Sequence, residues 1–226
     1  MDIKMNLKTK MLALILAPVI ILTGFLSLYG YNTSKDALNN QIIETSRFTM
    51  ESYSENLNSI LLQHEARTKQ LALNVAGKSP EAINSLINLA KVASGKYGTD
   101  FYVGLESGVM VSLDKMPEGY DPRTRPWYKS ATSGTEAVYT DVYTDAGGKG
   151  LLVTIAQPII LDGKLQGVVG NDLKLDPILE ETKQMKVGKT GYAFIIDKTG
   201  SFISHQNFKP TDHLQDVENG VLKDFY

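Results

Sequence analysis

Leu151-Leu152-Val153-Thr154-Ile155-Ala156-Gln157-Pro158-Ile159-Ile160 and Leu165-Gln166-Gly167-Val168-Val169-Gly170-Asn171-Asp172-Leu173 are two strand-like runs with Asp162-Gly163 between them. Such runs rich in Val, Ile and Leu, divided by residues with turn chemistry, predict two consecutive β-strands. Working outward, the same pattern marks strands at 101–105, 109–113 and 138–143, with breaks at Glu106-Ser107-Gly108 and over 145–150. Strands joined by short turns imply an antiparallel sheet. Before them, Ser79-Pro80-Glu81 reads as a helix start: a serine N-cap, proline at the first helical position and an acid in the first turn. That helix is expected to stop near Gly95 or Gly98, and a connecting helix is expected around 177–186. Helices before and after an antiparallel sheet give an α+β module.

Between the second and third strands lies Tyr120-Asp121-Pro122-Arg123-Thr124-Arg125-Pro126-Trp127-Tyr128. Pro122 and Pro126 fix their own φ angles and push Asp121 and Arg125 toward extended backbone, which predicts a stiffened loop rather than a helix. Arg125 offers a donor fork that can hold a carboxylate through two parallel hydrogen bonds, and the indole of Trp127 adds a donor and a ring that excludes water. Tyr143, Asp145 and Asp172 come later, near strands, and offer acidic and phenolic acceptors. An ammonium has three donors, more than one carboxylate satisfies, so Asp145 and Asp172 can share it. A site with a positive end and a negative end matches an α-amino acid. The competing reading makes Arg125 and the aspartates ordinary structural ion pairs and Trp127 a core aromatic.

At these positions the chain resembles the amino-acid-binding double-Cache (dCache) sensor domains of bacterial methyl-accepting chemotaxis proteins. Tyr120, Arg125, Trp127, Tyr128, Tyr143, Asp145 and Asp172 match the family's ligand signature. The resemblance implies that Arg125 and Trp127 meet the ligand carboxylate and that the Tyr and Asp positions meet its amino group. It also implies a PAS-like arrangement of the sheet. It covers most of the chain after the first thirty or so residues.

The N-terminus sets the compartment. No charged residue occurs from Met11 to Ser34, and the apolar stretch 11–31 is long enough to cross a hydrocarbon layer of about 30 Å as a helix. Lys4, Lys8 and Lys10 precede it. By the positive-inside rule residues 1–10 are cytoplasmic and everything after the span is periplasmic, so the chain is anchored in the inner membrane by one helix. A cleaved signal peptide is the competing reading. Against it stand the length of the apolar run and the lack of a convincing cleavage site. Pro18 is tolerated in such a span.

Residues 32–78 read as one long stalk helix. Ile43, Met50, Tyr53, Leu57, Ile60 and Leu71, with Ser46 and His64 between them, alternate by three and four, a seam that fits a coiled coil or lengthwise packing. The resemblance favours a homodimer contact along part of this helix. His64 reads as an interface histidine rather than a pH sensor. Residues 79–184 form the membrane-distal, ligand-binding module, and 185–226 the start of a membrane-proximal one. The second start is an echo: 192–204 reads strand, turn, strand, with Gly200 where Gly108 fell and Ser204 where Ser112 fell. The chain stops at Tyr226 before a second sheet can be completed, so it reads as a receptor fragment or a truncated reading frame.

Composition excludes several other classes. With a net charge of −2 over 226 residues there is no basic stripe for nucleic acid, and the absence of cysteine removes disulfides, thiol catalysis and Cys-based zinc sites. Gly188-Lys189-Thr190 fails as a P-loop because Lys183 stands where the first glycine is needed. Gly147-Gly148-Lys149-Gly150 reads as a hairpin loop, and His205 and His213 are too few for a metal site. Asp145 and Asp172 have no accompanying nucleophile signature. The expectation is a non-enzymatic chemoreceptor sensor without cofactor or metal. The same sensor on a histidine kinase or a cyclic-dinucleotide enzyme is the alternative, and a membrane-anchored hydrolase is a third.

Overall fold

The computed structural model describes residues 6–93, 100–144, 150–188, 191–209 and 212–217. It divides into two units, Met1–Ser54 and Glu55–Tyr226. Helix α1 runs Leu7–Val75, with Pro18 inside it. In the first unit its apolar stretch is exposed among the described residues, and it is the one candidate membrane span by length and composition among them. The span and the stalk are thus one continuous helix, ending at Val75 rather than at residue 78.

In the second unit the seam of α1 becomes a packing face. Ile60, Leu71, Ala72 and Val75 are buried, whereas Ile43, on the same predicted seam, is 60% exposed. Helix α2, Pro80–Val92, begins as its sequence predicts: Ser79 Oγ accepts from Ala82 N at 3.4 Å, Pro80 opens the first turn, and the Glu81 carboxyl is held below its usual range by a bond to its own backbone amide. It ends before Gly95 and Gly98, which lie outside the described residues. Ile83 and Ile87, one turn apart and 1% and 0% exposed, dock it on the sheet. Each contributes about 1.5–3 kcal/mol of burial.

The sheet contains β1 (Asp100–Leu105), β2 (Met110–Ser112), β3 (Val138–Tyr139), β4 (Tyr143–Thr144), β5 (Leu151–Leu161) and β6 (Lys164–Lys174). Its order is β2-β1-β6-β5-β3, with β4 also on β5, and every pairing is antiparallel. Residues alternate between its two faces. Phe101, Val103, Val111, Ile159 and Val169 face α1 and α2. Tyr102, Ala156 and Val168 face the other side, where Trp127, Tyr128 and Ala131 cover them.

The predicted strand 138–143 is interrupted. Val138 and Tyr139 pair with Ala156 and Ile155, but Tyr143 and Thr144 pair with Leu152 and Leu151, so the upstream strand carries one extra residue. Thr140 explains how the break is held: its N–H donates to Thr154 O at 3.0 Å, while its Oγ1 takes the Thr154 N–H at 3.0 Å in place of a carbonyl. A one-residue bulge re-aims the side chains beyond it. Tyr139 and Tyr143, four apart, would share a face on a regular strand. Here the Tyr139 hydroxyl reaches Glu65 on α1, whereas the Tyr143 hydroxyl reaches Thr154 on the opposite face.

The predicted loop at 120–128 is partly helical. Asp121 and Arg125 are extended (φ −113°, ψ 113° and φ −82°, ψ 147°), as the residue before a proline should be. Between them Pro122–Thr124 makes a 3₁₀ turn, and Pro126 opens α3, Pro126–Ala131. Proline at a first helical position starts a helix as readily as it stiffens a loop.

Helix α4, Asp176–Gln184, leads out of the sheet to β7 (Lys186–Val187) and β8 (Gly191–Tyr192), which pair, and then to the hairpin of β9 (Ile195–Ile196) and β10 (Phe202–Ser204). The echo seen in the sequence is structural. Gly108 and Gly200 have φ of +86° and +85° and donate to Leu105 O and Asp197 O at 2.9 and 3.1 Å. Phe202 opposes Ile196 as Met110 opposes Gly104, after which the second hairpin slips out of register before Ser204.

Candidate functional site

A cavity of about 210 Å³ opens on the α3 face of the sheet. It is smaller than the roughly 300–1,000 Å³ of drug-sized sites and suits a small metabolite. Tyr120, Arg125, Trp127, Tyr143 and Asp172 all line it, so five of the seven signature residues converge although they span more than fifty positions. Tyr128 does not line it. Its hydroxyl donates to Glu106 Oε2 at 2.8 Å, and burial and that carboxylate push the phenol well above its ordinary range. Asp145 lies outside the described residues.

The positive end is Arg125. Its Cζ sits 5.8 Å from the centroid of the Tyr120 ring. Its buried Nε has no hydrogen-bond partner, and its guanidinium forms no ion pair among the described residues. The structural ion pair of this segment belongs to Arg123, whose Nη2 lies 2.8 Å from Asp121 Oδ2 and whose Nη1 donates to Glu106 O at 3.3 Å. Asp121 is thereby held below its usual pKa range, its carboxylate engaged by Arg123. Trp127 is both core and site: 2% exposed, it lies edge-on to Tyr102 at 4.9 Å and to Tyr128 at 5.6 Å, and it also walls the cavity.

The negative end is a chain of hydroxyls converging on Asp172. Tyr102 Oη and Thr154 Oγ1 each donate to Asp172 Oδ1 at 2.6 Å. Thr154 has one proton and spends it there, so the 2.5 Å contact between Tyr143 Oη and Thr154 Oγ1 is donated by Tyr143. Burial and the Asp172 carboxylate push Tyr143 up to about 12 and Tyr102 well above its ordinary value. Both phenols are therefore protonated at neutral pH. Each directs its hydrogen toward the network, leaving the Tyr143 oxygen lone pairs as acceptors for a cation.

Tyr102 and Thr154 carry this end of the site and were not singled out in the sequence, nor were the glycines that make room for the aromatics. A Cβ on Gly170 would lie 2.1 Å from Tyr102 Cε2, and one on Gly104 would lie 2.6 Å from Pro122 Cβ and 2.9 Å from Trp127 Cη2. Both glycines are thus required by close approach. A signal existed: Thr154 and Asp172 are polar residues on the same alternating face of otherwise apolar strands, and they are direct cross-strand partners.

Among the described residues no group of three or more His, Asp or Glu side chains could hold a metal. His205 and His213 serve local structure: His205 Nδ1 accepts from Asn207 N and Phe208 N at 3.0 and 3.2 Å, and His213 Nε2 contacts Thr199 O. His64 is 3% exposed on the α1 seam, and burial, then the neighbouring Arg67, lowers its pKa.

Comparison with known proteins adds to this geometry. The Cache domain family profile matches residues 33–224. The methyl-accepting chemotaxis protein TlpB of Bacillus subtilis is 28% identical over 217 residues, covering 91% of this chain and 32% of TlpB. The ligand-binding domain of the Pseudomonas fluorescens chemoreceptor CtaA, solved with L-serine, superposes with a TM-score of 0.63 at 29% identity, covering 73% of both chains. That of the Pseudomonas aeruginosa amino acid chemoreceptor PctB, solved with L-Gln, gives 0.63 at 30% identity, covering 74% of this chain and 70% of the other. The chain spans at most about a third of the length of the curated relatives it matches.

Proposed function

The chain belongs to the Cache domain family, and on that premise we propose that it is the sensing region of a bacterial chemoreceptor whose cavity binds an α-amino acid. The observation that carries this reading is a guanidinium with no ion pair among the described residues facing a hydroxyl-supported carboxylate across one small cavity. Arg125 with Trp127 takes the ligand carboxylate, and Asp172 with Tyr143 takes its ammonium. Asp145 is proposed as a second carboxylate for that ammonium, and Tyr120 as the ring over which Arg125 is held. Tyr128 contributes by fixing α3 through Glu106 rather than by touching ligand. The amino acids bound to the CtaA and PctB domains support the ligand class.

Calorimetric titration of the full chain in nanodiscs with L-amino acids tests this. Saturable one-to-one binding of at least one is expected, and no heat from any of them would contradict it.

The sensor is proposed to lie outside the cytoplasmic membrane, anchored by residues 11–31 and dimerised along the α1 seam upstream of Ile60. The lysines before the span and the exposed seam residue Ile43 support this. In cells with a permeabilised outer barrier, a cysteine replacing the exposed Ser133 should react with a membrane-impermeant thiol reagent and one replacing Lys8 should not. The opposite labelling pattern would overturn the orientation.

A further inference from the structure

The cavity has a third side that recognition of the amino and carboxyl groups leaves unused. β2 is the edge strand, two strands from β6, so Met110 and Ser112 stand about 10 Å from the strand of Asp172 at the usual spacing of about 4.8 Å. That distance leaves room for a side chain leaving the ligand Cα toward the sheet edge. Both residues line the cavity, as does Met116 from the segment after β2, and all three are half-buried. Two methionines make an apolar wall that adapts to different shapes. Ser112 Oγ accepts from Asp114 N at 3.1 Å, which uses a lone pair and not its proton.

Charge on this side is one-sided. Asp100 lines the cavity and is the direct cross-strand partner of Asp172, so two carboxylates stand side by side on the pocket face. Asp100 is held by Lys91 at 2.9 Å and Lys174 at 3.8 Å, neither of which lines the cavity. The cation on this side of the cavity is Lys115, exposed at the rim where solvent screens it. Among the described residues no buried lysine or arginine lines this side of the cavity, so a ligand side-chain carboxylate would lie against Asp100 without a cation of its own, and like charges brought together discriminate strongly.

Building on the amino-acid reading of the site, we propose that Met110, Ser112 and Met116 form the side-chain subsite and that Asp100 makes it selective for uncharged over acidic amino acids. Glycine, which has no side chain, isolates the contribution of this subsite. Titration of the full chain in nanodiscs should show L-methionine and L-glutamine binding at least fivefold tighter than glycine, and L-glutamate at least tenfold weaker than L-glutamine. Met116→Ala should weaken L-methionine about tenfold while glycine stays within twofold, since only a ligand with a side chain loses buried contact. Asp100→Asn should narrow the gap between glutamine and glutamate severalfold and leave glycine unchanged, which also reports that the variant is folded. Glutamate binding as tightly as glutamine in the parent, or Met116→Ala weakening glycine and methionine alike, would overturn the side-chain assignment alone. Failure of all four ligands to bind would overturn the side-chain assignment, while the amino-acid reading itself falls only if no other L-amino acid binds either.

Discussion

Replacing Arg125 with alanine should remove amino-acid binding by two to four orders of magnitude while the fold stays intact. Hydrogen bonds to charged groups are worth about 1.5–3 kcal/mol each, and a bidentate carboxylate makes two of them. Arg125 forms no ion pair among the described residues, so the fold gives up little when the side chain is cut. Arg125→Lys should also bind poorly, because an ammonium cannot present two parallel donors in a plane. Calorimetry checks affinity and thermal unfolding checks the fold. Arg123→Ala makes the contrast: it opens the contacts with Asp121 and Glu106 and should disturb the local structure first. An Arg125→Ala chain that binds with unchanged affinity would return Arg125 to a structural role.

Asp172→Asn should weaken binding at least tenfold, on the order of 1.4 kcal/mol or more. The amide oxygen can still accept from Tyr102 and Thr154, so the hydroxyl chain keeps its shape and the charge alone is lost. A ligand ammonium then enters the cavity without its central counter-charge, and leaving one member of a desolvated pair unpartnered is costly. If calorimetry gives the variant the parent's affinity, the ammonium is not held at Asp172.

Much of this was legible in the sequence. The hairpin of β5 and β6, the start of α2 and the extended backbone at Asp121 and Arg125 all arise from local chemistry that tertiary contacts do not override. The place of Tyr128 was not, because a ligand role for it supposes that 120–128 is all loop. In α3 adjacent residues point about 100° apart, so with Trp127 turned to the cavity Tyr128 is turned to Glu106. The bulge at Thr140 was hidden for a different reason. Register belongs to a pair of strands, and nothing in 138–143 alone says that one residue will be left over against β5. Tyr102 escapes notice in the sequence because its importance lies in its cross-strand neighbours: a glycine at 170 that admits its ring, and Asp172 on the same face to receive its proton.

One cavity is proposed to read both charged ends of an α-amino acid. The most direct measurement is calorimetric titration of the full chain with an amino acid that binds it, with that amino acid N-acetylated, and with its α-amide. Acetylation removes the cation that Asp172 and Tyr143 are proposed to hold, and amidation removes the anion that Arg125 is proposed to hold. Saturable binding of the free amino acid, with both derivatives weakened at least a hundredfold, is the predicted result. An N-acetyl derivative that binds within twofold of the parent ligand would contradict an ammonium site at Asp172 and leave a pocket that recognises a plain carboxylate through Arg125.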